Sequence, residues 1–431
     1  MRQMLLCLIL AAGALFAQSD LTSRPFFDRP LSSYTSERFP AWLKLSGEFR
    51  TRVEGRTGFN YQPDNNDAYA LFRNRLNVEL LPTSWLDFYF QGQDSRAPGV
   101  DAGRALTTFK DPFDLRQAYV RLGGSKSLVR VTVGRQLLSY GAQRLIGPLD
   151  WTNTSRSWDA VKMEIGTADA KVDLFASSVV VIDPAHPDHH RDGFNIHGAY
   201  GSFKRAIPRA TVEPYLLWKT GHASIWTAGL RIAAMPGTPG LHGFDYQAEV
   251  ARQWGTIGVL NHAADAGYVI FGYTTGKRAW TPHLSAEFSH ASGDNNPGSA
   301  THRTFDQLLP TNHLFYGITD PVGWQNMNMA RIGADVKPHK RLQLNADYRE
   351  LWLSSARDAL YNVAGGVAVK PRTGNTARHI GGETDFSALW TVSSQWKLGA
   401  GIGHLKAGSF LKENSKGSGQ TFPYLFAQYS Y

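Results

Sequence analysis

The stretch RVTVGRQLLSYGAQRLIGPLDWTNTSRSWDAVKM, residues 130–163, decides how the rest of the chain is read. At its start Val129, Val131 and Val133 alternate with Arg130 and Thr132. Strict alternation marks a strand whose two faces meet different surroundings. A connection follows that carries Arg135, Arg144, Asp150, Trp151, Arg156 and Asp159, with Trp158 beside the last of these. A second alternating run then sets Val161, Met163 and Ile165 against Lys162 and Glu164. One face of each run is apolar and the other ionic. Lipid outside and a water-filled lumen inside satisfy both faces at once.

Working outward, the same pattern recurs. Leu43, Leu45, Gly47, Phe49, Thr51 and Val53 oppose Lys44, Ser46, Glu48, Arg50, Arg52 and Glu54. Around residues 70–80, Phe72, Leu76 and Val78 oppose Arg73, Arg75, Asn77 and Glu79. A soluble two-layer core has no use for a central strand with an almost fully ionic face. Short connections fall near 81–85, 123–127, 166–170, 204–209, 236–242, 275–279, 337–340 and 392–395, with the Gly, Pro, Ser and Lys of tight turns. Mostly longer ones alternate with them, near 95–113, 139–157, 182–193, 290–325, 353–378 and 408–418. This layout predicts an all-β fold: a transmembrane antiparallel β-barrel of about 18 strands (16–18), with short periplasmic turns and long extracellular loops. The last strand, 421–431, ends on Tyr431, as the final strands of many bacterial barrels end on an aromatic residue.

The N-terminus fixes the address. Arg2 is followed by an apolar run to Leu15 and by Ala17, which reads as a signal peptide over residues 1–17. The run falls short of the roughly 20 apolar residues of a membrane-spanning helix. Residues 18–41, with Pro25, Pro30 and Pro40, read as a periplasmic lead-in, and 42–431 as the outer-membrane barrel of a Gram-negative bacterium. The single cysteine, Cys7, lies in the leader, so disulfides do not hold the exported chain. The formal charge of +9 suits an acidic ligand or anionic lipid, and export argues against nucleic acid. With 12 Trp, 17 Tyr and 23 Phe, the chain has the aromatic supply that membrane-interface girdles need.

Two runs carry a family resemblance: GRQLLSYGAQRLIGPLDWTNTSRSWDAV, residues 134–161, and TFDQLLPTNHLFYGITDPVGWQNM, residues 304–327. Both resemble the alginate export family. LFRNRLNVEL, DLRQAYVRL, ARDALY and GGETDFSALW are weaker echoes. The resemblance implies an 18-stranded outer-membrane porin that passes an anionic polysaccharide, an alginate-like polyuronate, through an arginine-lined pore. It maps the pattern's arginines onto Arg73, Arg75, Arg135, Arg144 and Arg156, and strand phase adds Arg50 and Arg52. Guanidinium stays charged and presents a planar fork to carboxylate, which is what an acidic sugar needs on losing its water. Asp150 and Asp159 would separate neighbouring arginines, and Trp151, Trp158 and Trp324, in long connections, are candidates for sugar contact. Expected partners are acidic sugars, outer-membrane lipid, and barrel-assembly or periplasmic export components.

Other constellations carry less. Asp183, His186, Asp188, His189 and His190 share one loop at irregular spacing, and a solvated loop explains them better than a metal site. Residues 64–67 and 293–296 offer calcium-type oxygen donors but are also ordinary turn sequences, so no cofactor is expected. Ser289-His290 lacks any G-x-S-x-G surround, which leaves no case for an enzyme. The competing function is an anion-preferring or general uptake porin for small acidic sugars or oligosaccharides. The discriminating feature is whether long loops fold inward to narrow the lumen.

Overall fold

A computed structural model describes residues 39–100, 106–276, 280–372 and 376–431. The signal peptide and nearly all of the lead-in expected from the sequence lie outside the described residues. The described chain forms one closed antiparallel barrel of 18 strands. In chain order these are β1 (Leu43–Arg56), β2 (Asp67–Thr83), β3 (Leu86–Arg96), β4 (Asp111–Leu122), β5 (Val129–Gln136) and β6 (Trp158–Gly166). Then come β7 (Ala170–Val181), β8 (His189–Ile207), β9 (Ala210–Thr220), β10 (Ala223–Ala234), β11 (Phe244–Ile257) and β12 (Leu260–Thr274). The circuit finishes with β13 (His283–Ala291), β14 (Met327–His339), β15 (Leu342–Leu353), β16 (His379–Thr391), β17 (Trp396–Ala407) and β18 (Gln420–Ser430). β18 pairs with β1, Glu48 opposite Ser430 and Glu54 opposite Tyr424, so the sheet has no free edge.

Burial is inverted relative to a soluble protein. On β1, Arg50, Arg52 and Glu54 are buried while Phe49 is exposed. Leu76, Phe90, Val133, Val161, Val250 and Ile332 are exposed as well, on the outward faces of their strands. This arrangement fits hydrocarbon outside the wall. No helix among the described residues is long and apolar enough to cross a membrane; strands cross instead. Trp42, Trp85, Trp280 and Trp390 are exposed at the short-turn end, where an interfacial belt belongs.

The connections differ sharply between the two ends. Turns such as 84–85, 167–169, 208–209 and 392–395 are short, as the sequence pattern led us to expect. At the other end the connections 97–110, 137–157, 292–326 and 354–378 are long, but 221–222 and 258–259 are two-residue turns. Two of the long loops, 137–157 and 292–326, fold into the barrel. There Leu138, Ile146, Phe305, Tyr316 and Trp324 pack against the inward Phe175, Ile196, Tyr200, Tyr215 and Tyr268. The barrel interior is therefore not uniformly polar. The inner wall from β7 to β12 mixes apolar and aromatic side chains with Asp173, Arg231, Glu249 and Gln253, and it carries the folded loops. Charged inner wall lies on β1 to β4 and again on β13 to β16, where Arg331 and Arg349 pair with Glu287, Asp347 and Asp385.

Candidate pore constriction

The site begins with strand phase. Inward positions of β1 supply Glu48, Arg50, Arg52 and Glu54, and those of β2 supply Arg73 and Arg75. A bulge in the β3–β4 register turns both Arg116 and Gln117 inward, which adds a guanidinium that simple alternation would place outside. Five arginines, Arg50, Arg52, Arg73, Arg75 and Arg116, thus converge with Glu48 and Glu54 on one patch of wall.

The 137–157 loop lies on that patch. Leu149 and Ser155 take left-handed backbone angles (φ 53° and 65°), which bends the segment so that its carbonyls face the arginines. Arg50 donates to the carbonyls of Asp150, Trp151 and Thr152 at 3.1, 3.2 and 3.0 Å. Arg52 donates to the Trp151 carbonyl at 2.6 Å, pairs with Glu54 at 2.5 Å and lies 4.0 Å over the Trp151 ring. Arg73 pairs with Glu48 at 2.5 Å and with Asp150 at 3.4 Å. Arg75 reaches Asp150 at 2.8 Å and Ser155 Oγ at 2.7 Å, and Arg116 reaches Asp150 at 3.5 Å. Asn153 fastens the segment by donating to the carbonyls of Phe72, Arg96 and Phe109. The arginine heads are buried beneath the loop, whereas the Asp150 side chain keeps about half its exposure. Burial pushes the Asp150 carboxyl up, but Arg73, Arg75 and Arg116 outweigh it and hold the group well below the usual carboxylate range. Five cations face three carboxylates, so the patch keeps a positive excess.

The second inward loop completes the span. His313 stacks on Trp151 with ring centres 4.1 Å apart and bonds Asp320 at 2.9 Å. Ile146 and Leu309 form a parallel bridge flanked by Leu309 N–H to the Leu145 carbonyl at 2.8 Å and Gly147 N–H to the Leu309 carbonyl at 2.9 Å. Arg156 clamps this junction by donating to the carbonyls of Gly147, Leu309 and Pro310. Burial pushes its guanidinium down to about 10, which leaves it charged at neutral pH. Arg144, 1% exposed, ties the loops to the far wall through Glu287 at 2.7 Å and Tyr316 at 3.1 Å, under the rings of Tyr268 and Phe315.

The residues singled out in the sequence therefore separate into groups. Arg50, Arg52, Arg73, Arg75, Asp150 and Trp151 meet at one place. Arg144 and Arg156 sit within the loop packing. Trp158 and Trp324 are fully buried, which leaves Trp151 as the member of that set beside the charged patch. Arg135 falls in phase with Val129, Val131 and Val133 on the outward side of β5, where it pairs with Asp159 at 2.9 Å. Arg116 is the patch residue that sequence phase missed. Towards the short-turn end, Lys44, Arg121, Arg130, Lys162 and Lys171 line a charged vestibule and pair with Glu79, Asp87, Glu164 and Asp173.

The profile of the alginate export family matches residues 41–426. The chain belongs to the alginate export family. No curated protein sequence matches the chain. Solved Pseudomonas aeruginosa structures share the fold. OccK8 (OprE) superposes with a TM-score of 0.62 at 10% identity, covering 90% of this chain and 98% of that one. OccK11 (OpdR) gives 0.59 at 12%, covering 94% and 98%. OccD3 (OpdP) gives 0.59 at 10%, covering 91% of each. This alginate export family member is an outer-membrane channel of a Gram-negative bacterium, not an enzyme.

Proposed function

We propose that the channel passes small acidic sugars or short acidic oligosaccharides, with Arg50, Arg52, Arg73, Arg75 and Arg116 as the anion-selecting wall. The observation that carries this reading is the fastened span across the lumen. Two loops, hydrogen-bonded to each other and anchored to opposite walls through the arginine patch and through Arg144–Glu287, narrow the passage. A fixed narrow passage admits a small solute more readily than a bulky polymer. Backbone carbonyls and Asp150 occupy the forks of the buried arginines, so the positive excess of the patch acts on a passing carboxylate as a field through the loop rather than by direct contact. The exposed lysines and arginines of the vestibule add positive charge further along the lumen. Passage of an alginate-like polyuronate is the second reading, and the family match over residues 41–426 favours it.

Planar-bilayer recordings under a salt gradient test both. Anion preference is expected, with glucuronate carrying current and a long polyuronate blocking it without crossing. Arg75→Ala is expected to lower the anion preference at unchanged barrel folding. A cation-preferring pore overturns the anion reading. Measured transfer of long polyuronate into protein-containing liposomes favours the polymer instead.

A further inference from the structure

A second cluster forms where the long-loop end of β4 meets the 182–188 connection. One carboxylate oxygen from each of Asp111, Asp114 and Asp188 lies within 4.8 Å of the others. Backbone amides orient two of the three: Asp188 N–H and Leu115 N–H donate to the Asp114 carboxylate, both at 2.5 Å, and Asp183 N–H donates to Asp188 at 2.9 Å. Asp111 is different. It is only 2% exposed, and its Oδ1 has no hydrogen-bond partner among the described residues. A buried carboxylate oxygen without a donor is costly, and two further carboxylates beside it add repulsion. The neighbouring Arg135 does not relieve this. Its guanidinium is spent on the Asp159 carboxylate and on the carbonyls of Leu115 and Asp188.

We propose that Asp111, Asp114 and Asp188 form a calcium-type divalent-cation site that ties the 182–188 loop to β4. The donors are all hard oxygens, with no imidazole or thiolate, which selects calcium or magnesium over softer metals. Ligands about 2.4 Å from one ion stand no more than about 4.8 Å from each other, and these three oxygens meet that limit. Calcium tolerates irregular oxygen cages, whereas magnesium demands a near-octahedral shell and holds its water. Three carboxylates from a strand and a loop, completed by water, suit the larger ion. The site rests on other residues than the transport reading, since among the described residues its three carboxylates make no ion pair with the arginine patch.

Terbium luminescence on the chelator-treated full-length barrel in detergent tests the site. One saturable terbium site is expected, displaced by calcium. Asp188→Asn, in the connection rather than a strand, is expected to weaken binding at least ten-fold. Asp111→Asn should do the same if it folds, and Asp192→Asn, at an exposed position outside the cluster, should bind as wild type. Absence of saturable uptake, or equal affinity in wild type and Asp188→Asn, overturns the proposal. Displacement by magnesium as effective as by calcium overturns the calcium assignment.

Discussion

At the scale of single residues, Asp150 sets the charge balance of the arginine patch. Three guanidiniums share it, yet about half of its side chain stays open to water. Its carboxyl pKa is depressed, so the stability it contributes is fully present above the unfolded-state value of about 3.9 and is lost only as pH falls through the lower folded-state value. The charge on the patch should therefore not change over ordinary pH. Anion preference, read as a reversal potential, is expected to stay flat from about pH 7.5 to about pH 4.5 as far as Asp150 governs it; a step centred near 4 would show an unpaired carboxylate instead. Asp150→Asn removes one of three acids from among five arginines and should raise anion preference. It should also cost roughly 2 kcal/mol of stability, less than the loss of a fully buried pair because Asp150 is half exposed. Much of this patch was legible from alternation, since Arg50, Arg52, Arg73 and Arg75 follow strand phase. The same periodicity holds the information about Arg135: two residues beyond Val133, it belongs to the outward face. Arg116 was hidden because a bulge, which shifts phase by one residue, leaves no simple mark in the sequence.

At the scale of elements, the two inward loops act as one body. Loop 137–157 binds the charged wall through Arg50 and Asn153, loop 292–326 supports it through the Ile146–Leu309 bridge, and Arg144 anchors both to Glu287. The turns at the short end could be placed from the sequence because Gly, Pro and Ser punctuate them. The inward course of the loops could not, because its partners are far away in the chain. A partial signal lies in strands such as β7, where Leu174 faces outward yet Phe175 is also apolar and faces inward. Apolar residues on both faces of a barrel strand imply something packed inside. If the loops move together, joining them should change little. The pair Ile146→Cys and Leu309→Cys, oxidised in a barrel whose described residues hold no native cysteine, is expected to keep conductance within about two-fold of the reduced form. Loss of conductance on oxidation and recovery with reductant would show instead that the passage opens by parting the loops.

At the scale of the whole molecule, 18 staves enclose a lumen only if the first and last meet in register. The seam is closed by more than the ladder between β1 and β18. Tyr431 exchanges backbone hydrogen bonds with Gly47, at 2.8 and 3.0 Å, and its hydroxyl donates to the Arg75 carbonyl at 2.9 Å. Its ring covers Gly47 so closely that a Cβ there would stand 2.3 Å from the ring and 2.4 Å from the Arg75 carbonyl oxygen. The glycine thus makes room for the C-terminal aromatic across three strands, β18, β1 and β2. This ties the last residue of the chain to the strand that carries Arg73 and Arg75, so closure and the arginine wall share one piece of backbone. Gly47→Val should be worse than Tyr431→Ala. Loss of the ring removes a contact, whereas the added side chain must also displace the β2 backbone, which cannot yield without breaking ladder bonds. The folded fraction, measured by heat-modifiable gel mobility after refolding into detergent, is expected to fall modestly for Tyr431→Ala and severely for Gly47→Val. Equal folding of Gly47→Val and wild type would mean that the seam closes without the aromatic seat, through the β1–β18 ladder alone.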